Sequence, residues 1–135
     1  MANRPLGRIH RVRTLQLTLA RAEEARAHAQ VATEQAMSER IAQLTDAVAA
    51  TSGSAVTLVA ASRYRERLAK SAVTAVDRVR QAEIEAVRAA EDARAAKRDQ
   101  SAVEKLMQRA RADDLRREMR ALEDAPAARK RHDLC

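Results

Sequence analysis

The sequence predicts an all-α fold: a long antiparallel two-helix coiled-coil hairpin, with the second helix longer than the first. Three observations predict it. Leu68, Ala72, Ala75, Val79, Ala82, Ala86, Ala89, Ala93 and Ala96 recur at alternating steps of four and three, the spacing of a heptad seam. The stretch TSGS, residues 51–54, holds the sole interior glycine, Gly53, while Gly7, Pro5 and Pro126 stand near the ends. The composition favours helix without a globular core: no Trp, no Phe and one Tyr, with 32 alanines supplying about half of the 46% hydrophobic fraction. Ala, Glu, Arg, Leu and Gln are strong helix formers, and such a mixture with helical periodicity reads as long helix or coiled coil. One third of the residues are charged, which suits solvated helix faces. The length allows one domain at most.

The first helix is expected over about residues 6–50. Its apolar positions read Ile9, Val12, Leu15, Leu19, Ala22, Ala25, Ala29, Thr33, Met37, Ile41, Leu44 and Val48, steps of three and four that share a face. The turn is expected at 51–55, where Gly adopts φ > 0 without steric cost and Ser and Thr cap flanking helix ends. The second helix is expected over 56–124, its seam continuing less cleanly through Gln100, Val103, Met107 and Ala110 and failing at Asp114. Residues 125–135 read as a frayed basic tail after Pro126. Two helices with one apolar stripe each, joined by a short loop, fold back as an antiparallel pair. Alanines in the seam permit close approach but bury little area, so the rod is expected to be only marginally stable. Folding about Gly53 sets Leu6 opposite Gln100. Residues 101–123 are then an unpaired helix of roughly 34 Å. It carries Val103, Leu106, Met107, Leu115, Met119 and Leu122, and apolar groups on an unpaired helix call for a partner molecule.

Both termini meet at one pole. That pole carries Arg4, Arg8, Arg11 and Arg13 from the first helix and Arg109, Arg111, Arg116, Arg117 and Arg120 from the second, so it is expected to be a positive stalk. At the turn pole, Tyr64 and Leu68 lie near Met37, Ile41, Leu44 and Val48. These six either clamp the hairpin as core or present an apolar patch to a partner.

The second helix carries a family resemblance. The segment AAEDARAAKRDQSAVEKLMQRARADDLRREMRALED resembles the C-terminal helix of the FliJ family of flagellar type III export proteins, which includes virulence-secretion counterparts. AVEKLMQR, with Val103, Glu104, Lys105, Leu106 and Arg109, is similar to the family's signature. AASRYRERLAKSAVTAVDRVRQAE, with Tyr64 four residues before Leu68, is similar to the family's start of helix 2. The Ala/Arg-rich composition and the short turn depart from the family pattern. The resemblance implies a non-enzymatic stalk and chaperone, like the central stalk of rotary ATPases. It would dock into the hexameric export ATPase, link it to the membrane export gate and bind export chaperones. It would lie in the cytoplasm, associated peripherally with the inner membrane at the flagellar base. It assigns Arg8, Arg11, Arg13, Val103, Leu106, Met107, Arg109, Leu115, Arg116, Arg117 and Arg120 to the ATPase pole. It assigns Met37, Ile41, Leu44, Val48, Tyr64 and Leu68 to the gate.

Catalytic chemistry is not expected. His10, His28 and His132 have no metal-ligand spacing and read as solvated surface. His28 follows Glu24 by four residues and can pair with it on a helix face. The pairs Glu91–Asp92 and Asp113–Asp114 read as solvated faces. No nucleophile triad or phosphate loop is present, no concave pocket is expected, and no cofactor, metal or small-molecule substrate is implied. The net charge of +7 raises nucleic acid or anionic lipid headgroups as alternative partners. Between Lys97 and Arg131, however, 11 basic residues mix with 7 acidic ones, and aromatic stacking groups are nearly absent, so nucleic acid is not expected. A generic structural spacer is a further alternative. No run of about 20 apolar residues spans a membrane. The arginine-bearing, acid-free start at 1–19 reads as mature protein rather than a targeting segment. The lone Cys135 cannot form a bridge within the chain, which points to a reducing cytosol.

Overall fold

The computed structural model describes residues 3–49 and 55–127. Two helices account for nearly all of them: α1 (Asn3–Ala49, 47 residues) and α2 (Ala55–Asp124, 70 residues). They are roughly 70 and 105 Å long, and they pack together as a helical hairpin. Of the turn predicted at 51–55, residues 51–54 lie outside the described residues, while Ala55 already opens α2; the tail from 128 onward, including His132 and Cys135, also lies outside them. Pro5 sits in the first turn of α1, where a missing N–H breaks no intrahelical bond. Pro126 stands two residues past Asp124, the last residue of α2, where proline cannot continue a helix.

The seam of α2 follows its heptads. Leu68, Ala75, Ala82, Ala86, Ala93, Gln100 and Val103 are buried, and Ala72, Val79, Ala89, Ala96, Met107, Ala110 and Asp114 are half-buried. Asp114 follows the last residues that α1 can match, so the seam ends at Ala110 as expected; Asp114 is half-buried beside Arg117, 3.8 Å away on its own helix.

The seam of α1 differs from the predicted stripe. The residues turned to α2 are Leu6, His10, Arg13, Leu17, Ala20, Glu24, Ala27, Val31, Glu34, Ser38, Ile41, Thr45 and Val48, all buried or half-buried. Their steps alternate four and three throughout. Ile9, Val12, Leu15, Leu19, Met37 and Leu44 are exposed instead. The predicted stripe took repeated threes early and repeated fours later, so it wandered around the helix and met the true seam at Ile41 and Val48. A supercoiled pair holds only positions that average 3.5 residues apart. Regular spacing outweighed side-chain size: Leu15 and Leu19 are 64% and 66% exposed, while Leu17 is 5% exposed.

This yields a direct test. Leu17→Ala is expected to cost about 2–3 kcal/mol, because it empties a buried site. Leu15→Ala and Leu19→Ala are expected to stay within about 0.5 kcal/mol. Urea unfolding followed by circular dichroism measures both. Gly7, inside α1, has open space where a Cβ would stand. Gly7→Ala is therefore expected to stabilise by about 0.5–1 kcal/mol through reduced backbone entropy in the unfolded chain.

The register also differs from the symmetric fold about Gly53. His10 Nε2 lies 3.2 Å from Glu104 Oε1, and Gln100 Nε2 donates to Thr14 Oγ1 at 3.1 Å. Both pairs are centred on position 57, not 53. Arg65 at the other end donates to the Val48 carbonyl at 3.5 Å, in the same register. Leu6 consequently faces the neighbourhood of Gln108, not Gln100. The unpaired C-terminal helix begins near residue 112 instead of 101, and its length to Asp124 is roughly 20 Å. At the opposite pole, residues 55–64 of α2 run past the end of α1. The matching of two seams fixes this register, and the turn does not impose its own centre.

Among the described residues, the buried polar side chain is Gln100, in one layer of the seam. Gln100, 8% exposed, accepts a hydrogen bond from Lys97 Nζ at 3.0 Å and donates to Thr14 Oγ1. Thr14 in turn donates to the His10 carbonyl at 2.8 Å. Each partner is satisfied, so the layer avoids the penalty of an unpaired buried group. A polar residue in a coiled-coil seam specifies register at some cost in stability. Gln100→Leu is expected to keep or raise the melting temperature while broadening the register. Disulfide trapping between cysteines introduced in place of Val31 and Glu83 or Arg80 reads out that broadening.

Candidate partner-binding surfaces

The terminal pole is tied together before it is open to a partner. Arg13 donates to Asp99 Oδ2 at 3.2 Å and to Gln16 Oε1 at 3.1 Å. With His10–Glu104 and Thr14–Gln100, this clamps the first turns of α1 onto α2. His10 is thus part of the interhelical contact, not a solvated surface histidine. His28 does lie exposed, 3.8 Å from Glu24.

The residues expected at this pole separate into two groups. Val103 is buried against α1, Met107 is half-buried and Arg13 is engaged with Asp99. Val103 is therefore shaft core, because the true register places it between the helices. Arg8, Arg11, Leu106, Arg109, Leu115, Arg116, Arg117 and Arg120 are exposed. Met119 and Leu122 are exposed as well. Leu115, Met119 and Leu122, at i, i+4 and i+7, share one helix face beyond the reach of α1. The exposed Ile9, Val12, Leu15 and Leu19 add a second apolar strip on α1 near the same pole. Sequence reasoning placed that strip in the core. The signal that could have separated it was its uneven spacing.

The charge at this pole is not uniform. Positions 3–22 carry Arg4, Arg8, Arg11, Arg13 and Arg21 with no acid. Positions 112–124 carry Arg116, Arg117 and Arg120 against Asp113, Asp114, Glu118, Glu123 and Asp124. Arg116 lies 3.6 Å from Asp113, and Arg117 lies 3.8 Å from Asp114. These exposed pairs contribute little to stability, but they cancel charge. The positive field belongs to the start of α1 and to Arg109 and Arg111, while the overhang itself is slightly acidic. Of the other acidic pair, Glu91 lies 3.1 Å from Arg94 on an exposed face, and Asp92 is exposed.

At the turn pole, Met37, Leu44 and Tyr64 are exposed, Ile41 and Val48 half-buried and Leu68 buried. Leu68 and Ile41 are seam residues, so they clamp the hairpin. Met37, Leu44 and Tyr64 remain available. Val56, Leu58 and Val59 are exposed too, and they extend the apolar surface beyond the expected six residues.

The small seam leaves a trough at mid-shaft. Its volume is about 630 Å³, with Ala27 and Ala82 among its lining and Arg26, Asp77, Arg78 and Glu85 along its rim. The concavity, which the sequence did not lead one to expect, arises because alanine pairs cannot fill the space between two helices. It is open along its length and encloses nothing. Among the described residues, no group of three or more His, Cys, Asp or Glu side chains could hold a metal ion. Among the described residues, no helix is long and apolar enough to cross a membrane. No family model matches the chain, and neither does any curated protein or solved structure.

Proposed function

We propose that this chain is a FliJ-type stalk of a flagellar or related type III export apparatus. Its terminal pole enters the hexameric export ATPase, and its turn pole faces the membrane export gate. Export chaperones bind along the rod. The protein performs no chemistry of its own and works at the cytoplasmic face of the inner membrane. The observation that carries this reading is an asymmetric hairpin with the start of α1 and the end of α2 at one pole. From that pole a single helix projects with Leu115, Met119 and Leu122 unpartnered. A rod of that shape can enter a ring end-on, as stalks of rotary ATPases do. The sequence likeness in AVEKLMQR supplies the family. In that likeness Leu106 and Arg109 are exposed, whereas Val103 and Glu104 belong to the shaft.

Co-purification with a hexameric export ATPase is the deciding experiment. The full chain is expected to co-elute with the assembled hexamer on size exclusion, and a variant carrying Leu115→Ser, Met119→Ser and Leu122→Ser is expected not to. A wild-type chain that fails to associate with the hexamer overturns the reading. Retention on DNA at physiological salt would favour a nucleic-acid partner instead.

A further inference from the structure

Two exposed faces of α2 stand at opposite ends of the rod, and they are complementary in shape and charge. Near the start of α2, Val56, Val59, Ala60, Arg63, Tyr64 and Arg67 line a concavity of about 570 Å³, and all six are exposed. Their spacing of i, i+3, i+4, i+7, i+8 and i+11 keeps them on one side of the helix. Four residues at i, i+3, i+4 and i+7 form the hole that a side chain of a facing helix enters. The six therefore make two successive holes. The first is Val56, Val59, Ala60 and Arg63, and the second is Ala60, Arg63, Tyr64 and Arg67. Ala60 belongs to both, and its small side chain leaves room for a knob on either side.

Knobs of matching spacing stand at the other end. Leu115 and Met119 are exposed and four residues apart on the overhang, the same separation as the two holes. Charge complements the fit. Residues 55–67 carry three arginines and Glu66, a net +2, while 112–124 carry three arginines and five acids, a net −2. The positions of these charges also select an orientation. With the two helices parallel, Leu115 enters the first hole and Met119 the second. Arg63 then lies level with Glu118, and Arg67 with Glu123. With the helices antiparallel, Arg63 and Arg67 lie level with Arg116 and Arg111, and like charges disfavour the pairing. Roughly 68 Å of helix separates Arg67 from Ala112, so the overhang cannot reach the concavity of its own chain.

We propose that the overhang of one copy packs in parallel into the concavity of a second copy, so that rods join head to tail. The two faces in contact are different, so the assembly is heterologous and leaves a free face at each end for further copies. Each copy is displaced along the rod by roughly 83 Å from the one before. An ATPase ring and a second copy would both cover Leu115 and Met119, so the two exclude each other. The self-contact does not rest on the export reading, and it is measured on the chain alone.

Sedimentation velocity of the full chain at rising concentration and low salt tests this. Interfaces this small are weak, so the wild type is expected to be monomeric when dilute and to form a ladder of longer species when concentrated. Added salt should reduce them. Val56→Asp with Val59→Asp spoils the first hole, and Leu115→Ser with Met119→Ser removes the knobs. Each variant alone is expected to stay monomeric. An equimolar mixture of the two should form a dimer and nothing longer, because each chain keeps the face that the other has lost. All four sites are exposed, so circular dichroism should be unchanged. Glu118→Arg with Glu123→Arg is expected to weaken assembly about fivefold or more. Adding Arg63→Glu and Arg67→Glu to the same chain should restore it. A wild type that stays monomeric at every concentration overturns the proposal. So does assembly by either variant alone, which would place the contact between other faces, and so does a mixture that forms no dimer. Failure of the fourfold charge exchange to restore assembly overturns the parallel register.

Discussion

Ending the chain after Ala110 is expected to leave the hairpin folded and to remove ATPase binding. Residues beyond Ala110 have almost no contact with α1, since Asn3 is matched with the neighbourhood of Arg111 in the observed register. Their loss leaves every buried residue of the α2 seam in place. The melting temperature should shift by no more than about 3 °C, corresponding to well under 1 kcal/mol. The same cut deletes Leu115, Met119 and Leu122, the apolar side chains available to be desolvated by a ring. A few such anchors carry most of an interface, so affinity for the ATPase should fall about a hundredfold or more. A cut after Ala96 is expected to behave differently. It removes Gln100 and Glu104, and with them the partners of Thr14 and His10, and it removes the buried Val103. The start of α1 then has nothing to pack on and should fray, lowering the melting temperature by about 10 °C or more. Thermal melts and ATPase pull-down on the two truncations separate the cases. Native-affinity binding by the chain ending at Ala110 would remove the overhang from the proposed contact. A melting temperature unchanged by the cut after Ala96 would contradict the register.

The two helices were unequally legible in the sequence, for a physical reason. In α2 the seam is built from alanine, whose neighbours are mostly long and polar, so regular spacing stands out against the solvated faces. The structure returns Leu68 to Ala110 as predicted. In α1 the seam contains His10, Arg13, Glu24, Glu34 and Ser38, while larger apolar groups lie outside it. Hydropathy then points to the wrong face, and only the strict alternation of four and three identifies the right one. Half-buried polar residues are tolerated there because a two-helix rod leaves the flanks of its seam open to water. Long side chains bury their stems and keep their heads solvated. Thr14, Thr18, Thr33, Thr45 and Thr74 meet their own needs by donating to the carbonyl four residues earlier.

Register was less legible still. A turn centred on Gly53 is a local guess, whereas register is a property of two matched surfaces. The slip toward position 57 moved Val103 from the proposed binding surface into the shaft. The same slip freed Val56, Leu58 and Val59 at the far pole. Which residues each pole exposes thus depended on an alignment that no single helix encodes.

Replacing Arg8, Arg11, Arg116 and Arg117 together by Glu is expected to slow association with the ATPase by about tenfold or more at low salt. At high salt the rate should approach that of the wild type, because exposed charges are screened within about 3 Å at 1 M ionic strength. Steering acts through the summed field, so replacing the same four by Gln, half the charge change, should give about half the effect on the logarithm of the rate. The acids of the overhang supply a test of opposite sign. Glu118 and Glu123 are exposed on a segment with five acids and three arginines. Glu118→Gln with Glu123→Gln should therefore speed association with an acidic ring opening. Dissociation should respond to a different set of residues. Leu115→Ala withdraws apolar surface that is covered only in the complex, so it should raise the dissociation rate and leave association nearly unchanged. Glu in place of Arg116 and Arg117 also sets like charges near Asp113 and Asp114, costing the helix about 0.2–0.5 kcal/mol per pair. Circular dichroism of each variant checks that the overhang stays helical. Surface plasmon resonance against the ATPase at several ionic strengths reads both rates. If the Glu and Gln quartets associate at the wild-type rate at low salt, the terminal pole does not meet an acidic opening, and its arginines are ordinary solvated helix faces.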